Sequence, residues 1–166
     1  MRTTILTICF CSILLSCQND NQVATAPKTE IPPQRTIPLN ISLNMTQPSY
    51  QLGEPITLRF VIKNNTSEIV SFCKLNSPAN GQNWNNCFQI KDKKGNIIPF
   101  VGKIPTYSGA VEDSDLISIE GNGVQLYTID LRPRYALDQP GTYSIRFIGD
   151  QVNLLSNSLP ARFTIK

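Results

Sequence analysis

From Leu39 to Lys166 the sequence alternates apolar and polar residues in short runs, and most runs are closed by Gly, Pro, Asn, Asp or Ser. A period of two puts successive side chains on opposite faces of an extended chain, so each run predicts a half-buried strand. Leu39, Ile41 and Leu43 alternate with Asn40, Ser42 and Asn44, and Ile56, Leu58, Phe60 and Ile62 alternate with Thr57, Arg59, Val61 and Lys63. Further strands are expected at 69–73, 87–91, 97–101, 116–119, 124–131, 142–148 and 159–165. Asp92-Lys93-Lys94-Gly95-Asn96 is the expected hairpin turn between 87–91 and 97–101, and Glu120-Gly121-Asn122-Gly123 is expected to join 116–119 to 124–131 as a strand pair. Residues 102–113 carry no strand pattern, and helix is expected to be minor, a turn near 134–137. The 12 Pro and 9 Gly suit short strands and many turns, and 166 residues suffice for one core but not two. The prediction for 39–166 is therefore an all-β antiparallel sandwich of seven to nine strands.

The first 38 residues read differently. Met1-Arg2 gives a positive start, and Ile5 to Leu15 is an apolar run of eleven residues. That run is too short for a helix of about 20 residues spanning a bilayer, and has the length of a secretory signal's apolar region. Its end, Leu14-Leu15-Ser16-Cys17, resembles the lipobox of bacterial lipoproteins. The resemblance implies cleavage after residue 16, a diacylglyceryl group on Cys17 and anchorage to a membrane of the cell envelope. Gln18, where an aspartate commonly retains such proteins in the inner membrane, favours the outer membrane in a host with two. Residues 17–38 after the cleavage point are rich in Gln, Asn, Thr, Ala and Pro without apolar periodicity, a composition that reads as a tether.

Charge and composition exclude several function classes. The formal net charge is +3 with no long basic run, which argues against nucleic acid as a partner. The chain has no histidine, which removes His-based triads, the H-E-x-x-H zinc site and the commonest general base. Neither a cofactor motif nor a metal-ligand spacing is present. Glu112-Asp113-Ser114-Asp115 offers three carboxylates, but without EF-hand spacing it reads as a solvated loop. Arg132 and Arg134 flank Pro133 as a conceivable small-anion site or, more commonly, as edge charges against strand pairing.

Five cysteines reduce to two in the domain, because Cys9 and Cys11 fall in the signal segment and Cys17 takes the lipid. In an exported domain Cys73 and Cys87 are expected to form a disulfide, closing a loop of about 15 residues and adding roughly 3 kcal/mol in the chain-entropy model. A reactive thiol is the alternative. The loop between them carries the single tryptophan, Trp84, among Asn83, Asn85 and other polar residues. A large ring on a stapled polar loop is a candidate partner-binding anchor, with Asn83 and Asn85 beside it. The competing reading folds the indole back as a lid on the core. Tyr135 and Tyr143, near Pro140-Gly141, are expected to bond back to a loop through their phenols.

Tyr50-x-Leu52-Gly53-Glu54-Pro55-x-Thr57-Leu58, followed by Asn64-Asn65 and later Pro140-Gly141-Thr142-Tyr143, resembles secreted immunoglobulin-like modules. The order Leu75-Asn76-Ser77-Pro78, Phe88-Gln89-Ile90, Pro99-Phe100-Val101-Gly102 and Tyr127 to Leu137 resembles, more narrowly, the N-terminal non-catalytic domain of deuterolysin and peptidyl-lysine zinc endopeptidases. The resemblance spans Leu39 to Phe147 and implies an immunoglobulin-like sandwich. The peptidase half of that family, with its two-histidine zinc helix, has no counterpart in this sequence. The implied role is therefore that of a non-enzymatic, lipid-anchored binding module that captures or restrains a protease. The alternative is a structural or adhesive lipoprotein that holds another envelope protein or a glycan.

Overall fold

A computed structural model describes residues 38–107 and 109–166. The signal segment 1–16, Cys17 and the tether up to residue 37 lie outside the described residues. Among the described residues are nine strands: β1 (Leu39–Met45), β2 (Ser49–Tyr50), β3 (Thr57–Asn64), β4 (Val70–Cys73), β5 (Phe88–Asp92), β6 (Leu116–Ile119), β7 (Val124–Asp130), β8 (Gly141–Phe147) and β9 (Ala161–Ile165). They form a three-stranded sheet ordered β1-β3-β7, a four-stranded sheet ordered β2-β9-β8-β5 and a two-stranded sheet β4-β6. Every pairing is antiparallel except the short β2–β9 contact. The domain is all-β.

The predicted alternation sets which side chains are buried. Leu39, Ile41 and Leu43 of β1 and Leu58, Phe60 and Ile62 of β3 point inward from one sheet. Phe88 and Ile90 of β5, Tyr143, Ile145 and Phe147 of β8, and Phe163 and Ile165 of β9 point inward from the other. They meet: the Phe60 ring lies 4.9 Å from that of Phe147 and 6.1 Å, edge on, from that of Phe88. Full burial of one such side chain stabilises the fold by about 1.5–3 kcal/mol, so this aromatic centre joins the two sheets.

Three local expectations are corrected. Residues 97–101 make no strand; only isolated bridges remain, Lys91 with Ile97 and Phe100 with Tyr135. Pro99 has no N–H to give a ladder, and its carbonyl instead accepts from Ala136 N at 3.0 Å. The runs 116–119 and 124–131 do form β6 and β7, but they do not pair with each other: β6 pairs with β4, and β7 with β3. The turn between them is held elsewhere, with Asn122 in the left-handed region (φ 60°) donating through its N–H to Thr66 O. Gly121 lies so close to Ser67 that a Cβ there would collide with its carbonyl oxygen. Third, the turn expected near 134–137 lies slightly earlier, with Arg134 N and Tyr135 N both donating to Leu131 O at 3.0 Å.

Candidate functional site

Three segments without strand structure meet: the loop between Cys73 and Cys87, residues 101–107 and 109–112, and the turn ending at Tyr135. The first is shaped by its own chemistry. Buried Ser77 donates its hydroxyl to Lys74 O at 2.7 Å and accepts from Ala79 N, starting a 3-10 turn at Pro78–Asn80. Gly81, at φ 65°, ends that turn in a conformation that side chains with a Cβ rarely adopt.

Beyond Gly81 the chain drops Trp84 into the core. The indole is only 2% exposed and packs edge-on against Phe88 at 5.7 Å and stacked with Tyr135 at 6.4 Å. Arg134 covers its outer face, with the guanidinium carbon 5.0 Å from the ring centroid. The indole therefore occupies the lid position and offers no surface to a partner, because the aromatic pocket under the loop takes it. Asn83 is exposed and Asn85 half-buried, so both remain on the surface of this end.

The second segment is pinned onto the first. The Tyr107 hydroxyl donates to Asn83 O at 2.7 Å and accepts from Asn80 Nδ2 at 3.0 Å. Arg134 donates from its guanidinium to Gln82 O and Lys103 O, while its own carbonyl accepts from Val101 N at 2.8 Å and Gly102 N at 3.2 Å. One arginine thus ties three segments and roofs the tryptophan. The sequence drew attention to neither Tyr107 nor this use of Arg134; the available signal was an aromatic residue in a stretch with no strand pattern. Above these ties Val101, Ile104 and Val111 are exposed. A cavity of about 580 Å³ lies beneath 105–112, bordered by Lys74, Asn83 and Asp115, and another of about 430 Å³ lies between Pro78–Gln82 and β7.

The remaining candidates are engaged structurally. Asp115 accepts from Glu112 N and lies 3.7 Å from Lys74 Nζ, so the acidic run closes a 3-10 turn at Asp113–Asp115. Among the described residues no cluster of three or more Cys, Asp or Glu is placed to hold a metal ion. Arg132 donates from Nε to Glu54 O and from Nη1 to Leu137 O, while its buried Nη2 has no partner among the described residues. The single O–H of Tyr135 is shared between Asn86 Oδ1 and Phe88 O, and its oxygen accepts from Phe88 N; the phenol of Tyr143 donates to Gln139 O at 2.7 Å.

Cys73 and Cys87 are both buried, and the structure holds them as free thiols rather than as the expected bridge. Burial pushes both thiols above their usual range, Cys87 strongly, and the nearby Asp150 carboxylate raises each further. Such thiols are poor nucleophiles, since the thiolate is the reactive form. Desolvation likewise lifts the Tyr135 phenol far above the ordinary range, with Cys87 adding to the effect.

No protein-family model and no curated protein matches this sequence. Among solved structures the chain is similar to the Pseudomonas fluorescens alkylpurine DNA glycosylase AlkC bound to DNA containing an abasic site analog, at 12% identity and a TM-score of 0.43 over 78% of this chain and 30% of that one. It is also similar to a β-glucosidase from Erythrobacter marinus, at 13% identity and a TM-score of 0.44 over 77% of this chain and 15% of that one. For a β-glucosidase from Listeria innocua in complex with glucose the values are 11%, 0.36, 76% and 16%. The chain thus spans less than a third of the length of each of these proteins.

Proposed function

We propose that this chain is a lipid-anchored envelope protein whose immunoglobulin-like sandwich binds a protein partner through the loop end around Asn83 and Tyr107. The observation that carries the reading is the pinning of 101–103 and Tyr107 onto the Cys73–Cys87 loop through Tyr107 and Arg134. Loops held before binding lose less freedom on binding, which favours recognition. The exposed Val101, Ile104 and Val111 supply apolar contact area on that end. The sandwich reading is supported by the facing Phe60, Phe88 and Phe147, and the immunoglobulin-like reading by the Tyr143 phenol bonded four residues back to Gln139. In the exported protein Cys73 and Cys87 are proposed to pair; in support, both are buried, one at each end of the same loop.

The resemblance to the non-catalytic domain of zinc endopeptidases makes a protease the first partner to test. Crosslinking in whole cells with a photoreactive residue at Asn83, followed by assays of the full chain against serine, cysteine and metallo proteases, tests this. A crosslinked protease inhibited by the chain is the expected result. A crosslinked envelope protein with no inhibition replaces the protease by a structural partner, and no crosslinked protein at all removes the binding role of this end.

A further inference from the structure

In the order β1-β3-β7, β7 has a partner on one side only. The register fixes which of its backbone groups face outward. Asn64 N donates to Gly123 O and Leu131 N donates to Ile56 O, each at 3.0 Å. Hydrogen-bonded pairing with β3 therefore falls on the odd-numbered residues between them. The antiparallel ladder then turns the N–H and C=O of Val124, Leu126, Thr128 and Asp130 away from β3. None of those groups has a protein partner among the described residues. The strand, Val-Gln-Leu-Tyr-Thr-Ile-Asp, contains no Pro, Lys or Arg, the residues that commonly guard an open edge.

Alongside this edge runs the cavity of about 430 Å³, and its near wall is five consecutive residues, Leu126 to Asp130. Successive strand side chains point to opposite faces, so five in a row share one cavity only where it follows the strand's edge. Pro78, Gly81 and Gln82 form the opposite wall, and Arg134 stands at one end. Five residues of strand span about 17 Å, enough for one short extended segment.

We propose that the outer edge of β7 and the Pro78–Gln82 wall form a docking groove for an extended segment of a partner protein, which adds to the sheet as a fourth strand. This deepens the reading of the chain as a protein-binding module by naming the element that binds. The outward N–H and C=O groups of Leu126 and Thr128 are satisfied by the backbone of a guest strand, and this gives the groove its chemistry. Side chains refine it. Exposed Val124 and Leu126 lie on the outer face beside exposed Arg59 and Lys63 of β3, whose cross-strand neighbours are Thr128 and Val124. A guest whose residues on that one face, every second position, are a mixture of apolar and acidic side chains matches it. A second copy of the chain fits poorly, because its β7 brings β3 behind it, and that sheet would run into the Pro78–Gln82 wall. The chain's own leading segment is also a poor guest, since Pro27, Pro32, Pro33 and Pro38 lack the N–H groups a ladder needs.

The test uses the full chain in detergent micelles and a phage-displayed library of random peptides of about twelve residues. Selected peptides should carry both apolar and acidic residues among the every-second positions of one face and avoid proline. Thr128→Pro and Leu126→Pro each delete one outward N–H without touching the β3 ladder, and each should weaken a selected peptide at least tenfold at an unchanged melting temperature. Thr128→Ser should bind as the parent does. If the proline variants melt early, amide exchange decides: in the parent, Leu126 and Thr128 amides must slow on peptide binding. Selection of no peptide, equal binding by folded proline variants, unchanged exchange, or a dimer of the chain abolished by Thr128→Pro would each overturn the groove. A cellular partner crosslinked equally by parent and Thr128→Pro removes the groove and leaves the binding module standing. A parent that crosslinks nothing in cells while its peptides bind removes the module's proposed contact at Asn83 and leaves the groove.

Discussion

The Asn64 side chain, fully buried at the end of β3, shares the two protons of Nδ2 among Glu68 O, Ile119 O and Glu120 O and accepts from Thr66 N and Thr66 Oγ1. It joins the turn after β3 to the turn between β6 and β7, two places far apart in sequence. Asn64→Ala leaves buried carbonyls without donors, and at about 1–3 kcal/mol for each unsatisfied group we expect a loss near 3 kcal/mol. Urea unfolding should show this as a lower midpoint at an unchanged slope. Asn64→Asp keeps the shape but turns a carboxylate toward the same carbonyls. Its folded-state pKa would be raised, so stability should be greatest below about pH 4, where the acid is protonated in both states, and fall as pH rises through the folded pKa. A flat pH profile for that variant relative to the parent would remove this role. Trp84 gives a second test at the same scale. It is the only tryptophan, so fluorescence reports on it alone, and a ring 2% exposed beneath Arg134 should be emitting in the blue and resist acrylamide quenching. Trp84→Ala should cost about 3–5 kcal/mol, the range for emptying an aromatic core site. A change below about 1 kcal/mol would return the ring to the surface.

At the scale of elements, the period-two pattern was a reliable guide to faces and a poor guide to partners. Leu58, Phe60 and Ile62 announce an inward face on β3 because their spacing alone assigns it. Nothing in their spacing says that β7 lies beside them while β6 goes to β4, because that choice is made by Asn64, the Asn122 turn and the close approach of Gly121 to Ser67. The loop end was legible only in part: Trp84 and Asn83 stood out by composition, whereas Tyr107 and Arg134 act through contacts across 24 and 52 residues of sequence. The Cys73–Cys87 loop yields a prediction that separates its two redox forms. In the reduced form both folded thiols have raised pKa values, so unfolded thiols ionise first as pH rises past about 8.5. Protons are then held more tightly by the folded state, and stability is present below that pH and declines above it, by up to about 1.4 kcal/mol per pH unit for each thiol. A bridged protein has no thiol to ionise and should lack this limb until tyrosines titrate. Replacing both cysteines with Ser should also cost about 2–5 kcal/mol against the bridged form. An alkaline limb beginning near pH 8.5 in protein isolated from the envelope without reductant would show that the pair is unbridged there.

For the whole molecule, the proposed attachment and the proposed recognition would be separable, because the nine strands among the described residues and their core are built from residues after Pro38. The implied lipid on Cys17 would act through distance alone. A diacylglyceryl group supplies two acyl chains, the number needed for stable anchoring, whereas one chain holds only marginally. As a random coil, the 22 residues proposed as the tether, 17–38, would have a root-mean-square reach of about 25 Å and would keep an anchored domain in a thin layer at the membrane. Confinement raises the effective concentration against a partner in that layer by orders of magnitude without adding a contact. Cys17→Ser should therefore move the chain from the detergent phase to the aqueous phase, or leave an uncleaved precursor, while the released domain melts at the parent's temperature. In cells, crosslinking to an envelope partner should fall by at least tenfold, whereas the affinity of the purified variant for the same partner should stay within twofold of the parent. Mass spectrometry of the envelope fraction checks the premise directly: an unmodified Cys17 rejects the anchor. A Cys17→Ser chain whose purified affinity falls together with its cellular crosslinking would show that the residues before Leu39 take part in binding, and that the leading segment does more than set the reach.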